Sequence, residues 1–468
     1  MSQENSVNLL NPNMDYQTQI QTEGNPARKL GLGEEKYKIL AENFQGCSNN
    51  VIYIRIQGNL TANIAKTALS WLQKRHRLLQ CNFAEYDSRY NQFDFSHYLS
   101  VKEEEKINEV PLTVITMSGD NHWQEIFDAE LNTNFSADTK YLWQVTLLNG
   151  DDIHDLIFKF SHAICDGTSL KYFVRDFLAY CADLAEGCSI PKDFKVEPIL
   201  PPVEELLPKR KTKSSQLTQD EQIEVSPWRY ETYQPLEKRR TGWMFHIFNS
   251  ETLNNLQKAC DEQKVKLNSA LSVVFLNAVN IVLGDRDKDE TFRNLSIPID
   301  LRLFCKPKVK PYQLGDFVDV LTLVNPATNK KQGLGLESFW DSVRFYETNL
   351  TKEMKKYVTS NRELTYKKSR VKSTILYLVS EKDKEQELTG GVQISNLGVL
   401  NTLDFSEKLK VQKNIFLRND LLGFSPMYLV VYILDRQLHC GLIYTKGLVK
   451  AESVSTIVDN FRETIKQI

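Results

Sequence analysis

Seven of the fifteen prolines in this 468-residue chain fall between Pro191 and Pro235. Proline lacks a backbone N–H and fixes φ, so neither a central strand nor a helix interior can run through such a stretch. The same stretch carries the basic run Lys209-Arg210-Lys211-Thr212-Lys213, a pattern that normally stays in water. The chain is therefore expected to fold as two blocks, residues 27–188 and 242–468, joined by a Pro/Lys-rich linker over 189–241. Its length agrees, since single cores stop growing well below this size. The basic run could alternatively dock an acidic carrier protein.

Charge and apolar patterning narrow the function classes. Lys+Arg number 58 against Asp+Glu 60, a net charge of −2, so there is no basic excess to face phosphates and neither DNA nor RNA is expected as ligand. The most apolar run, Leu271 to Leu283, holds two Asn and falls short of the roughly 20 residues that span a bilayer. It reads as a buried helix, and no transmembrane segment is expected. Met1 to Pro26 has no basic start and no apolar run, and nine of its residues are Asn or Gln. That composition predicts a disordered leader rather than a signal peptide, and a cytoplasmic protein. Eight Cys without a CxxC pair predict reduced thiols, with neither a disulfide framework nor a metal site.

Periodicity outlines the first block. A strand over Val51 to Gln57 turns at Gly58 into a helix with Thr61 as N-cap and Ile64, Ala65, Ala68, Leu69 and Leu72 on one face. Tyr141 to Leu148 and Asp155 to Phe160 read as further strands. The second block opens with a strand over Trp243 to Phe248 and a helix over Ser250 to Gln263, an echo of the first. Gly333-Leu334-Gly335 reads as a loop ahead of a helix at Glu337 to Lys356.

The sharpest local signal is Ser161-His162-Ala163-Ile164-Cys165-Asp166-Gly167-Thr168-Ser169. Strand alternation puts Leu156, Phe158, Phe160 and His162 on one face and Ile157, Lys159 and Ser161 on the other. Gly167 permits a tight turn, and Leu170, Phe173, Val174, Phe177, Leu178 and Cys181 recur at helical spacing. His162 and Asp166 thus sit on a strand-to-helix loop, where reacting groups are commonly held. Standing alone, a His at the end of an apolar row also fits a hydrogen-bonded core residue, a reading that the other six His share. Cys165 beside His162 is a conceivable nucleophile, and Asp166 is equally readable as a turn Asp bonding its own backbone. No GxSxG elbow and no Gly-rich loop ending in Lys-Ser/Thr occurs.

This His-x-x-x-Asp-Gly arrangement resembles the signature of the CoA-dependent acyltransferase superfamily. That superfamily includes chloramphenicol acetyltransferase, peptide-synthetase condensation domains, polyketide-associated acyltransferases and alcohol acetyltransferases. Arg75-His76-Arg77-Leu78-Leu79 resembles the stretch after the first helix of condensation domains, and Tyr141 to Leu148 the strand before the active loop. Ile299-Asp300-Leu301-Arg302 followed by Leu314-Gly315-Asp316-Phe317 resembles the segment opening the second half's active-site region. Ser395-Asn396-Leu397-Gly398 resembles the SNxG turn of alcohol and wax-ester acyltransferases. The order matches over roughly residues 28–468.

The resemblance implies two similar chloramphenicol-acetyltransferase-like α/β sandwich domains with mixed sheets, meeting along a tunnel that donor and acceptor enter from opposite faces. His162 would be the general base, its unperturbed pKa of about 6.5 leaving it largely neutral near pH 7.5. Asp166 would pair with an Arg, for which Arg302 is the candidate, and with Gly167 hold the loop. Ser395 and Asn396 would bind substrate or donate to the oxyanion, although Asn before Gly is also an ordinary turn. No cofactor would be bound; an acyl-CoA or phosphopantetheinyl thioester would be co-substrate, and an acyl carrier protein a possible partner. Condensation domains carry two consecutive His, where this chain has Ser161-His162. That departure favours transfer to the hydroxyl of a small molecule or lipid by a free-standing monomer of secondary metabolism. An amide-forming condensation-type enzyme and a non-catalytic binding homologue are the alternatives.

Overall fold

The computed structural model describes residues 27–87, 90–94, 109–189, 194–208, 225–284, 291–327, 336–359, 371–388, 391–400, 408–423 and 425–468. The expected leader over Met1 to Pro26, the run Lys209 to Lys213, the Gly333 to Gly335 loop and His97 lie outside the described residues.

Strand β1 (Ala27–Lys29) leads into α1 (Leu32–Asn43), β2 (Asn50–Gly58) and α2 (Ala62–Arg75). The paired strands β3 (Asn82–Asp87) and β4 (Tyr90–Asp94) follow, then β5 (Leu112–Thr116), α3 (His122–Leu131), β6 (Trp143–Asn149), β7 (Ile153–Phe160) and α4 (Gly167–Ala185). Between the blocks lie the single turn α5 (Val203–Leu206) and β8 (Trp228–Arg229). The second block runs β9 (Arg240–Phe248), α6 (Ser250–Glu262), α7 (Leu267–Leu283), β10 (Thr291–Asp300), β11 (Val318–Ala327), α8 (Leu336–Thr359) and α9 (Val371–Glu385). It closes with β12 (Glu387–Leu388), β13 (Val392–Val399), β14 (Leu409–Arg418), β15 (Met427–Leu434), β16 (Gln437–Lys446) and α10 (Ala451–Gln467).

Each block centres on a mixed sheet covered by helices. The first has strand order β14-β2-β7-β6-β5, antiparallel except for the parallel pair β5 and β6. The second has order β11-β10-β13-β15-β16-β9, with β13 parallel to both β10 and β15. The expected apolar rows account for the packing. Thr61 caps α2 by accepting the Ile64 N–H at 3.1 Å, and Ala65, Ala68, Leu69 and Leu72 are buried. Phe158 and Phe160 of β7 meet Phe173 of α4, the latter pair with ring centroids 4.9 Å apart. Helix α7 is buried along most of its length within the second core. Among the described residues no single helix is long and apolar enough to cross a membrane.

Two features depart from a plain two-block picture. Strand β14 belongs by sequence to 242–468, yet it pairs with β2 from Leu409 opposite Gly58 to Arg418 opposite Asn50. Without it the β2 edge of the first sheet would be open, and an open edge exposes unpaired N–H and C=O groups. Linker residues, moreover, are tied to both blocks. Glu197 N–H donates to Arg75 O at 2.7 Å, Lys306 N–H donates to Leu206 O at 2.8 Å, and β8 pairs with β12. The expected echo of strand and helix is also unequal in place, since β2 is internal to its sheet and β9 lies at an edge.

Candidate active site

Sheet register brings the site together. Asn50 is opposite Phe160 on one side and Arg418 on the other, so the turn after β7, the start of β2 and the end of β14 share one end of the first sheet. In the second sheet Asp300 is opposite Val318, so residues 301–317 form a connection at one end of the β10 and β11 pair. These two ends face each other.

After Phe160 the Ser161 N–H donates to Leu142 O at 2.9 Å, and the chain turns so that Asp166 caps α4. Asn50 Nδ2 braces the turn by donating to Cys165 O at 3.0 Å. A Cβ on Gly167 would lie 2.7 Å from Leu397 Cδ2, so any side chain there would have to displace the end of Leu397 from the second block. The Ser161 side chain is buried and does not line the cleft.

Asp166 and Arg302 meet. Arg302 Nη1 donates to Asp166 Oδ2 at 2.7 Å and Nη2 to Oδ1 at 3.1 Å, both side chains being almost fully buried. The same carboxylate accepts the Ser169 N–H at 2.8 Å and the Phe317 N–H at 3.0 Å. Burial by itself would push this carboxyl up, but Arg302 and the two backbone donors outweigh it and hold it below the ordinary value. Both sequence readings of Asp166 are thus realised in one group, which caps a helix and pairs with a cation. Arg302 is further held by Ser169 Oγ at 2.8 Å and Gln313 O at 3.2 Å.

Between the blocks opens a narrow cleft of about 60 Å³, lined by His162, Gly167 and Leu170 on one side and by Val318, Gln393, Ser395 and Leu397 on the other. Tyr37 of α1 and Arg418 of β14 complete it. Tyr37 stacks on the His162 ring, centroids 3.9 Å apart and planes at 17°, which fixes the plane of the imidazole. On its edge, His162 Nδ1 is 3.8 Å from Asp316 Oδ1. Burial, then Arg418 and Lys36, push His162 down to about 3, with Asp166 and the residue's own backbone carbonyl pulling weakly the other way. The ring is therefore neutral as expected, but through burial and neighbouring cations rather than through an unperturbed value. Burial drives the Asp316 carboxyl well up, aided by Asp166, Glu34 and Glu204 and opposed by Lys36. Burial likewise pushes the Cys165 thiol far up, which removes the thiolate a nucleophile needs.

Asn396 is placed differently from Ser395. On β13 the residues Gln393, Ser395 and Leu397 line the cleft, and strand alternation turns Asn396 to the opposite face. There it is exposed, its Oδ1 accepting the Gly398 N–H at 2.7 Å and its Nδ2 donating to Asn268 Oδ1 at 3.3 Å. The oxyanion role considered for Asn396 is corrected to that of a turn residue. Tyr37, Asp316 and Arg418 are site residues that the sequence did not single out. Asp316 alone had a signal, its place beside Gly315 in the Leu314 to Phe317 segment.

Residues 40–198 match the family model described as Condensation domain. Cyclosporin synthetase of Tolypocladium inflatum is 27% identical over 135 residues, 29% of this chain. That match spans 1% of the synthetase's length. Among solved structures, a trichothecene 15-O-acetyltransferase from Fusarium sporotrichioides superposes with TM-score 0.67 at 12% identity, covering 94% of this chain and 95% of that one. The epimerization domain from the third module of tyrocidine synthetase B gives 0.66 at 12% identity over 95% and 97%. Polyketide synthase associated protein 5 from Mycobacterium tuberculosis gives 0.61 at 12% identity over 94% and 98%. At such identities these structures speak for the fold, which is two-lobed in the manner of condensation domains. The Condensation match runs through the turn that carries His162, and along nearly its whole length the chain is similar in fold to condensation domains and to acyltransferases of the same architecture.

Proposed function

We propose that this chain transfers an acyl group from a thioester donor to a hydroxyl acceptor, with His162 as general base. One observation carries the reading. A neutral imidazole, held by stacking in a cleft between two mixed-sheet lobes, offers an unprotonated ring nitrogen to an attacking hydroxyl. The acceptor O–H would lose its proton to the imidazole as its oxygen attacks the thioester carbonyl. The tetrahedral intermediate would then expel the thiolate, which recovers that proton. No covalent enzyme intermediate is needed, in keeping with the burial of Cys165.

Around this centre each side chain has a task. The Asp166 and Arg302 pair would hold the loop without touching substrate, since the carboxylate is fully engaged by four donors. Ser395 would offer a hydroxyl to the substrate, and the apolar walls at Leu170, Val318 and Leu397 would exclude water from the acyl group. The donor would be acyl-CoA or a carrier-borne phosphopantetheine thioester, and the acceptor a small molecule or lipid. Thioester chemistry of this kind goes with a cytoplasmic setting.

The Condensation match supports a second reading, amide formation from carrier-borne substrates. One experiment separates the two: matched alcohol and amine acceptors compete for one acyl thioester across pH 6 to 9, with products read by mass spectrometry. Ester product that is lost in His162→Ala supports the first reading. Preferred amide product, or turnover that survives the substitution, overturns it. Absence of thiol release with any thioester points to a binding homologue without turnover.

A further inference from the structure

Two buried polar atoms in the cleft face each other without a hydrogen-bond partner. They are His162 Nδ1 and Asp316 Oδ1, 3.8 Å apart. Buried polar groups are nearly always paired, so two orphans at one spot call for an explanation. The gap is about 1 Å longer than a hydrogen bond, and catalytic hydrogen bonds are often long in the free enzyme and tighten when substrate binds.

We infer that Asp316 is a positioning residue for His162: its carboxylate accepts the Nδ1 proton, turns the Nε2 lone pair to the substrate, and stabilises the imidazolium formed in the reaction.

The local architecture fits this task. Gly33 lies in the first turn of α1, and a Cβ there would stand 2.3 Å from Asp316 Oδ2. The carboxyl thus lies against the amino end of a twelve-residue helix, whose oriented N–H groups offset part of the burial that otherwise favours its neutral form. Lys36, one turn further along α1, adds a positive charge in the same direction. Backbone neighbours fix the position of Asp316. Gly315 O accepts the Asp166 N–H at 3.1 Å, and the Phe317 N–H donates to Asp166 at 3.0 Å. The ion pair that closes the site therefore also carries Asp316 to the ring.

The energetic argument turns on net charge. Burial opposes an isolated imidazolium, and Arg418 and Lys36 oppose it further. Burial together with Glu34, Glu204 and Asp166 opposes an isolated Asp316 carboxylate. An imidazolium touching a carboxylate cancels both penalties, so proton uptake at Nε2 becomes easier when Asp316 is close. Tyr37, stacked on the ring face, adds a cation–π contribution once the ring is charged. His162's own backbone carbonyl is the other acceptor near Nδ1, and it makes no well-formed hydrogen bond with it.

The rate effect rests on the acyl-transfer reading, whereas the tautomer does not, and the test separates them. Nitrogen-15 NMR of the histidine-labelled full chain without substrate at pH 7, with the His162 signals assigned by their loss in His162→Gln, is expected to show the proton on Nδ1. Asp316→Ala should move it largely to Nε2. In thiol-release assays the same variant should lose about 10- to 1000-fold in kcat with little change in KM. Its pH–rate profile should shift because the base is weaker. A wild-type His162 protonated on Nε2 overturns the proposal whether or not Asp316→Ala folds. So does an Asp316→Ala protein whose tautomer and pH profile match wild type. An Nδ1 proton that moves on substitution, in a chain that turns over no thioester, keeps the positioning role and overturns the acyltransferase reading instead.

Discussion

One wall of the cleft comes from a single turn and the other from three separate segments. His162, Asp166 and Gly167 lie within six residues at the end of β7, whereas Arg302, Asp316, Ser395 and Arg418 come from the 301–317 connection, β13 and β14. On the first side the backbone itself fixes geometry, through the Asp166 cap and the Asn50 brace. On the second side geometry is a product of strand register across two sheets. Chemistry placed locally is robust to change elsewhere. Recognition built from distant segments can be altered one segment at a time.

Breaking the first wall should have the largest effect. His162→Ala is expected to lower thiol release by about 10²- to 10⁴-fold while the melting temperature changes little. A variant retaining more than about a tenth of wild-type rate would show that the turn does not hold the base. Next comes the link between the walls. Arg302→Ala leaves the Asp166 carboxylate buried without its cation, a loss of about 3–5 kcal/mol in denaturant unfolding. Combined with Asp166→Asn it should cost clearly less than the sum of the two changes, and an additive cycle would sever the walls energetically.

Acid should weaken the protein by a route that histidines dominate. Burial holds His162 and His76 down at about 3 and His439 at about 4, against an ordinary 6.5. Between these values the unfolded chain binds more protons than the folded one, so their contribution is fully present above about pH 6.5 and is lost as pH falls toward 3. Melting temperature should therefore drop on acidification from pH 7 to 4, and less steeply in His162→Ala. A smaller effect comes from Gly167→Ala. Its Cβ meets only the flexible end of Leu397, so a cost near 1 kcal/mol with an altered KM is expected, while an unchanged KM would separate Leu397 from substrate. Smallest is the contrast on β13. Ser395→Ala should reduce kcat/KM several-fold, and Asn396→Ala should leave turnover alone and change stability by no more than about 0.5 kcal/mol. The reverse ranking would mean that the strand presents its other face.

The same contrast explains what could be read from the residues. The β7 row of Leu156, Phe158 and Phe160, the α4 spacing from Leu170 to Cys181 and the Thr61 cap are short-range signals, and each appears in the structure where the periodicity puts it. Element ends moved by up to three residues, as with β9 starting at Arg240 rather than Trp243. Tyr37 carried no signal because its importance lies in stacking across more than a hundred residues of chain. Asn396 drew attention through the turn it forms with Gly398, but which face of a strand points at a cleft depends on a partner strand that the local sequence does not name. Arg418 is beside His162 only because β14 leaves its own block, a choice settled by the open edge of β2.

That crossing strand limits how the gene can be cut. A fragment ending before Leu409 would contain the whole of the His162 turn but would lack the strand that covers Asn50–Gly58, while the complementary piece would carry β14 with nothing to pair against. Neither piece is a self-sufficient folding unit. Expressed together, however, the two would hold matching halves of one ladder, so the boundary suits a split-protein complementation pair better than two independent domains. The same strand is also a tether, fastening the second lobe to the first along the whole Asn50–Gly58 edge.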